Sequence, residues 1–309
     1  MSAAFDVVVL GEVLLEITTD SPLGHGVPAT VGVSGDALNV AAAAAATGAR
    51  VGLVSVLPDD DTGRAVAERI EALGVSPALL HRTAGQQGVY FSHVDPNGQR
   101  EFSYVRAGSA GSTLSPAHLD ADVLASVGAV VSSGITCAIS ETARAAVHAA
   151  AAAAQRFVYD PNFRPRLTTA DRALADLRAL APRCALITPS HPAETTMLGR
   201  PTPAATAAEL LALGAGAVAV TCGSEGVHVQ DATGTGWVDA VPAPAVVDQT
   251  GAGDSFVGSV AARLVAGDDL QAAVRYGVGA ASLAVGGRGG TGLVPTRDQV
   301  LAHLAGAGR

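Results

Sequence analysis

The stretch VVDQTGAGDSFVG, Val246 to Gly258, combines residue types that suit the handling of a phosphoryl group. Gly251, Ala252 and Gly253 stand between a threonine and an aspartate. The residues that follow, SFVGSVAARLVAG, carry apolar side chains at helical spacing and end on Gly267. That spacing predicts a helix starting at the loop. Backbone N–H groups at a helix start lack intrahelical partners, and the positive end of the helix dipole adds to their attraction for an anion. With no side chain on either glycine a phosphate can come close, and Asp254 then stands beside it.

Composition narrows the chemistry. The 19 basic residues are all arginine, and the chain contains no lysine. A Walker A loop, a protein-kinase ATP lysine, a Schiff-base aldolase and a pyridoxal phosphate enzyme each need a lysine amine, so all four are excluded. A nicotinamide fold is disfavoured too, because GAGDSF has Phe256 where the third glycine of the dinucleotide fingerprint belongs. A net charge of −9 without a basic run weighs against nucleic acid and acidic membranes as partners. Cys137, Cys184 and Cys222 are widely spaced, which suggests neither zinc nor disulfides and fits a reducing cytoplasm. The N-terminus MSAAFDVVVLGE has no basic region or long apolar run, and the Ala-rich stretches are too short and too weakly apolar to span a bilayer.

The elements that must position the loop alternate. Short β-rich runs (VVVL at 7 to 10, VGLVSV at 51 to 56, AVVSSG at 129 to 134, FVYD at 157 to 160, ALITPS at 185 to 190, AVAVTC at 217 to 222) are separated by helical patterns. This order predicts an α/β fold with a mostly parallel sheet in 309 residues, 49 % of them hydrophobic. Residues 14 to 33 and 88 to 106 instead show period-two patterning and read as a small β-flap, the second segment turning at Pro96-Asn97-Gly98. Ligands of open parallel sheets bind beyond the carboxyl ends of the strands. The polar residues following the strands therefore share one edge: Gly11 and Glu12, Asp160 to Arg164, Thr188 to Ser190, Thr221 to Gly226, and the TGAGD loop.

With SGDALNVAAAAAATG (Ser34 to Gly48) and DQTGAGDSF (Asp248 to Phe256) in this order, the chain resembles the ribokinase-like (PfkB) carbohydrate kinases from Val7 to about Pro295. The resemblance implies a three-layer fold, a mostly parallel central sheet flanked by helices, with a small β-sheet lid, forming a single kinase domain over residues 1 to 309. It implies Asp254 as general base, a low-pKa proton acceptor, and the amides of Gly251, Ala252 and Gly253 as the anion hole for the transferred phosphoryl group. Such a reaction needs mainly positioning and charge stabilisation, and no lysine. ATP and Mg²⁺ are implied as cofactors. Thr221, Gly223, Ser224 and Gly226 of TCGSEG resemble a nucleotide loop, and Asn162 and Ser190 occupy positions that face ATP in relatives. The family's Asn-x-x-Glu motif is altered: Ser190 and Ala193 take its two positions, and Glu194, one residue late, would reach magnesium through water. Asp248 and Thr250 resemble residues near a monovalent-cation site, for K⁺. Substrate contacts would come from Gly35, Asp36 and Asn39, with Ser34 replacing the usual first glycine and Glu16 standing where many relatives have Asp.

Within the family the likeness is greatest to kinases of 2-keto-3-deoxygluconate, through GDALN, REFSYVRAGSAGSTLSP and DPNFRPRL. There a tyrosine and an arginine on the lid strand and a second arginine after the next Asp-x-Asn strand end hold an open-chain keto acid, which Tyr90, Tyr104, Arg106 and Arg164 match. Two guanidinium groups facing one pocket suit a carboxylate. The plainer alternatives are an edge-strand charge at Arg106, a loop arginine paired to Asp160 at Arg164, and a Tyr104 that merely packs on the flap. Rival functions are a kinase for fructose, ribose or a nucleoside, and a silent sugar-binding protein. The flap's exposed strand edges suggest a homodimer through the lid.

Overall fold

Valine-rich runs without polar alternation belong in strands covered on both faces. The computed structural model, which describes residues 4–95 and 100–307, places them there. The chain runs β1 (Val7–Leu10), β2 (Leu14–Thr18), β3 (Thr30–Ser34), α1 (Asp36–Ala46), β4 (Val51–Pro58), α2 (Asp61–Ala72), β5 (Val75–Ser76) and β6 (Leu80–Thr83). It continues through β7 (Val89–Val94), β8 (Arg100–Val105), α3 (Ala121–Ser126), β9 (Ala129–Ser133), α4 (Gly134–Ile139), α5 (Glu141–Ala153), β10 (Phe157–Asp160) and α6 (Ala170–Leu180). The last third holds β11 (Cys184–Ile187), α7 (Ala193–Met197), α8 (Pro203–Ala212), β12 (Ala217–Thr221), β13 (Gly226–Asp231), β14 (Gly234–Asp239), α9 (Ala252–Val265), α10 (Leu270–Ala284) and α11 (Arg297–Ala307).

The central sheet has the order β14-β13-β12-β11-β10-β9-β1-β4-β5, with β6 also on β4. It is parallel from β12 to β5, and β13 and β14 extend it as an antiparallel hairpin. Alternate residues of each strand feed opposite layers. Val7 and Val9 pack with α1, α2, α9 and α10, whereas Val8 and Leu10 pack with α3, α5, α6 and α8. This is the expected three-layer architecture.

The period-two segments form a separate sheet of order β3-β2-β7-β8. In β2, Leu14, Glu16 and Thr18 are buried and Leu15 and Ile17 are half-buried, the alternation of a sheet with one covered face. Tyr90 lies opposite Tyr104 across β7 and β8. The expected turn at Pro96-Asn97-Gly98 lies outside the described residues.

Two helices start at a glycine, without a side-chain cap. α1 begins at Gly35 (φ 124°) and α9 at Gly251 (φ 81°), conformations that glycine adopts without a steric penalty. The same helices cross so closely that a Cβ on Gly258 would lie 2.1 Å from the Val40 carbonyl oxygen. Their starts are thereby held side by side at the carboxyl ends of the strands. Strand β11 ends at Ile187, short of the expected Ser190, and Pro189, which lacks an amide hydrogen, stands two residues beyond that end. The three cysteines are free and buried, and no helix among the described residues is long and apolar enough to cross a membrane.

Candidate active site

A pocket of about 1130 Å³ opens where the strand ends meet the small sheet. The central sheet supplies Glu12 beyond β1, Asp160 at the end of β10, Thr188 and Ser190 beyond β11, and Thr221 at the end of β12. The small sheet supplies Leu14, Tyr90, Phe102, Tyr104 and, just past β8, Arg106. Gly35, Asp36 and Asn39 enter from the start of α1, and Thr250, Gly251, Gly253 and Asp254 from the start of α9.

Helix packing joins the two sequence signatures. Asn39 Nδ2 donates to Asp254 Oδ2 over 2.8 Å, and Ser34 Oγ donates to Asn39 Oδ1 over 3.1 Å, which orients the amide. Asp36 accepts from the Ser133 hydroxyl. The expectation of a low-pKa Asp254 is corrected: burial, reinforced by the Asp36 charge, pushes its carboxyl up to about 7, against the pull of Asn39 and Arg164. Asp36 is raised by burial as well, and Asp160 is pushed well above the usual carboxylate range by burial and by the charges of Glu194 and Asp254. Four acidic groups thus crowd one wall, with Arg164 the cation that lowers Asp36, Asp160 and Asp254 alike.

The three amides of the expected anion hole are not equivalent. The first intrahelical bond of α9 runs from Ser255 N to Gly251 O, so the amides before it have no partner within the helix. Ala252 N, however, donates to Gln249 O at 3.2 Å, and Ala252 does not line the pocket. Gly251 and Gly253 both line it; the first is backed by Gly290, and at the second no atom lies within 4 Å of where a Cβ would stand. Behind this loop Asp248 accepts from Thr250 N (3.0 Å), Thr250 Oγ1 (2.7 Å) and Gly289 N (3.0 Å). That carboxylate ties the loop to the chain before α11.

Beyond β10, Asn162 takes the left-handed conformation (φ 39°) while its amide donates to Asp160 Oδ1 at 3.1 Å, an Asx turn that points the loop over the pocket. Glu194 is 1 % exposed and not a surface helix residue. Its Oε1 accepts from Phe163 N (2.7 Å), and its Oε2 accepts from Ser190 N (2.8 Å) and Ser190 Oγ (2.5 Å). The glutamate that is one residue late therefore still reaches the loop after β11 and ties it to the loop after β10. Of the TCGSEG segment, Thr221 lines the pocket. Gly223 and Ser224 sit in an exposed turn outside the lining, and Gly226 is explained by packing, since a Cβ there would lie 2.3 Å from Val238 O.

On the small sheet, the buried Tyr90 ring lies 5.8 Å from that of Tyr104, and the Arg106 guanidinium sits 4.9 Å over the Tyr104 ring. Arg106 is 9 % exposed, so it is no solvated edge charge; it pairs with the fully buried Glu12. Arg106 Nη2 and Glu12 Oε2 are buried without a hydrogen-bond partner. Arg164 is exposed, lines the pocket and donates to Phe163 O at 3.2 Å. Sequence reasoning gave no role to Arg166, whose Nη1 donates to Phe102 O of β8 at 2.9 Å and straps the β10–α6 loop to the small sheet. It placed Glu12 on the ligand-facing edge, from its position after a strand, but gave it no partner. Glu16, noted only as an atypical residue, is buried against Tyr90 and the Gly289–Gly290 backbone.

A three-layer α/β fold whose glycine-started helix presents an aspartate beside free amides defines a phosphotransferase class of protein. Residues 4–297 match the sequence model of the pfkB family carbohydrate kinases, and the chain belongs to that family. It is 33 % identical over 303 residues to a 2-dehydro-3-deoxygluconokinase of Thermoproteus tenax, covering 95 % of this chain and 92 % of that one. It is 31 % identical over 252 residues to a 2-dehydro-3-deoxygalactonokinase of Haloferax volcanii, covering 79 % of each. Among solved structures, a PfkB protein from Polaromonas sp. JS666 superposes with a TM-score of 0.87 at 29 % identity, covering 97 % of this chain and all of that one.

Proposed function

We propose that the chain is an ATP-dependent kinase transferring the γ-phosphoryl group to the terminal hydroxyl of an open-chain keto sugar acid, with 2-keto-3-deoxygluconate as first candidate. The observation that carries this reading is that Arg106 and Arg164 line the same pocket as Asp254, and that Arg106 retains an unpaired Nη2. Arg106 is already neutralised by Glu12, so a carboxylate would supply the acceptor that its Nη2 lacks and a charge partner for Arg164, which a neutral sugar does not. The kinases of Thermoproteus tenax and Haloferax volcanii are named for keto sugar acids, which supports the same class.

In this mechanism Tyr90, Tyr104, Gly35 and Asp36 seat the acid beneath the small sheet, which serves as lid. Asp254 takes the proton of the terminal hydroxyl as its oxygen bonds to the γ-phosphorus, and the bond to the departing ADP oxygen breaks. Asn39 fixes the orientation of Asp254. The amides of Gly251 and Gly253 face the charge on the transferred group. A base titrating near 7 is suited to accept a proton at neutral pH. Asn162, Ser190 and Thr221 would contact the nucleotide. Among the described residues no group of acidic, histidine or cysteine side chains is arranged to hold a metal by itself, so a divalent cation would be carried in with the nucleotide phosphates to the wall of Asp36, Asp160, Glu194 and Asp254. Mg²⁺, bridged by water to Glu194, would supply charge neutralisation there. K⁺ would rest near Asp248 and Thr250 on loop carbonyls, the Asp248 oxygens being taken.

Two further parts of the reading concern the whole chain. Val31 and Val105, 66 % and 64 % exposed on the two edge strands of the lid, support a homodimer through that sheet, testable by sedimentation. The buried free thiols support a reducing, cytoplasmic setting. The deciding experiment is ATP consumption with 2-keto-3-deoxygluconate, its galacto epimer, fructose, ribose and a nucleoside. Turnover of the acids is expected; preference for a neutral sugar would replace the acid assignment with a sugar-kinase one.

A further inference from the structure

The structure assigns Glu12 as the residue that positions Arg106 and takes up a proton when a carboxylate substrate binds, an inference that rests on the acid-kinase reading above. Glu12 follows β1 directly and is 1 % exposed; its partner Arg106 is 9 % exposed. The pair is made through Arg106 Nη1 and Glu12 Oε1. A buried ion pair offsets the loss of hydration only when its remaining polar atoms are also satisfied. Here one atom on each side, Arg106 Nη2 and Glu12 Oε2, has no partner, and both residues line the pocket. The pair is therefore complete in charge and incomplete in hydrogen bonds, on the side where substrate would lie.

A substrate carboxylate accepting from Nη2 would complete the guanidinium. It would also place a second carboxylate on the same cation. The titratable groups facing Glu12 are Arg106 just past β8, the neutral Tyr104 on that strand, and Asp36 from the first turn of α1. Of these Asp36 opposes a further negative charge. Burial and Asp36 already hold the Glu12 carboxyl up at about 7, against the pull of Arg106. Adding a substrate carboxylate favours its neutral form, with the proton coming from solvent. Protonated Glu12 then offers an O–H donor where Oε2 has no partner, suited to a substrate carbonyl or hydroxyl oxygen. Gly111, which does not line the pocket, packs close behind the pair: a Cβ there would lie 3.0 Å from Glu12 Cβ and 3.5 Å from Oε2. A merely structural pair would have its outer atoms satisfied by the fold and would not titrate on ligand binding.

Calorimetric binding of 2-keto-3-deoxygluconate, repeated in two buffers of different ionisation enthalpy at about pH 7.5, counts the protons taken up. Wild type is expected to take up a large fraction of one proton, and its Kd to rise with pH above about 7, by up to about tenfold per pH unit. Glu12→Gln should lose that uptake and show a flatter Kd across the same range. Asp36, Asp160 and Asp254 also titrate in this pocket, so the difference between the two proteins carries the assignment. Equal proton counts in both overturn it. If the variant does not fold, zero uptake by wild type overturns the inference, uptake that persists in Asp36→Asn, Asp160→Asn and Asp254→Asn supports it, and uptake lost in one of these three overturns it. Failure of wild type to bind any keto sugar acid removes the functional reading and this inference together, whereas binding without proton exchange removes this inference alone.

Discussion

Asn39 and Asp254, 215 residues apart, are joined by a 2.8 Å hydrogen bond from Nδ2 to Oδ2. The bond favours the ionised carboxylate, while burial and Asp36 oppose it, and the balance leaves Asp254 at about 7. A base must be deprotonated to act, so kcat/KM should rise with pH to a plateau above about 7. Asn39→Ala removes the donor and should move that rising limb to higher pH. A pH–rate profile checks this; an unmoved limb would separate Asn39 from the titration.

Asp254→Asn removes the proton acceptor and keeps the shape, so kcat should fall on the order of 10² to 10⁴-fold with ATP and sugar-acid binding little changed. The same change should stabilise the fold in alkaline solution. Because the folded carboxyl titrates at about 7 rather than at its ordinary 3.8, the native state binds the proton more tightly. Stability from this group is therefore lost as pH rises from about 4 to 7. Thermal unfolding at pH 8 should show a higher Tm for Asp254→Asn, and a lower one would contradict the buried-charge account.

Glu194 accepts three hydrogen bonds, two from backbone amides, and so fixes the spacing of the loops after β10 and β11. Glu194→Gln keeps one acceptor oxygen and turns the other into a donor facing an amide. A loss of about 1 to 3 kcal/mol in stability is expected, read from denaturant unfolding. If water also links Glu194 to magnesium, the magnesium concentration for half-maximal rate should rise while the sugar-acid KM holds.

Much of this was readable from residue order. Period-two runs gave the small sheet, strand ends gave the pocket edge, and the glycine run gave the start of α9, because each is set by local patterning. The pairings were not readable. Glu12 meets Arg106, and Arg166 meets Phe102 O, only after the small sheet folds over the strand ends. A lone charged residue carries no sign of its partner. Ala252 was included in the anion hole because amides at a helix start are usually free, and a turn bond to Gln249 decides otherwise.

Arg164 separates charge recognition from lid integrity better than Arg106, since it is exposed and not in the buried ion pair with Glu12, although its charge also lowers Asp36, Asp160 and Asp254. A charge-assisted hydrogen bond contributes about 1.5 to 3 kcal/mol, so Arg164→Leu should lower kcat/KM for the keto acid roughly 10 to 150-fold. Neutral sugars should be nearly indifferent at a pH well above the Asp254 titration, where the base is ionised with or without the Arg164 charge. Arg106→Leu should act in the same direction but also leave Glu12 buried without its cation. Equal losses for acid and neutral substrates in Arg164→Leu would count against a carboxylate contact.

The two pocket glycines of the α9 start predict opposite outcomes. Gly251 has φ 81°, and a Cβ would meet Gly290 O at 2.8 Å, so Gly251→Ala is strained by its backbone and by its neighbour. Stability and activity should fall together. At Gly253 nothing lies within 4 Å of a Cβ and the position is inside the helix, where Ala is favoured over Gly by about 1 kcal/mol. Gly253→Ala should therefore fold as well as wild type or better. Its methyl group would nevertheless stand where the phosphoryl oxygens approach the amides, so kcat should drop by at least about tenfold, with the sugar-acid KM little affected. Measuring Tm and kcat for both variants tests the assignment: a fully active Gly253→Ala would remove this amide from the phosphoryl site, whatever Gly251→Ala does.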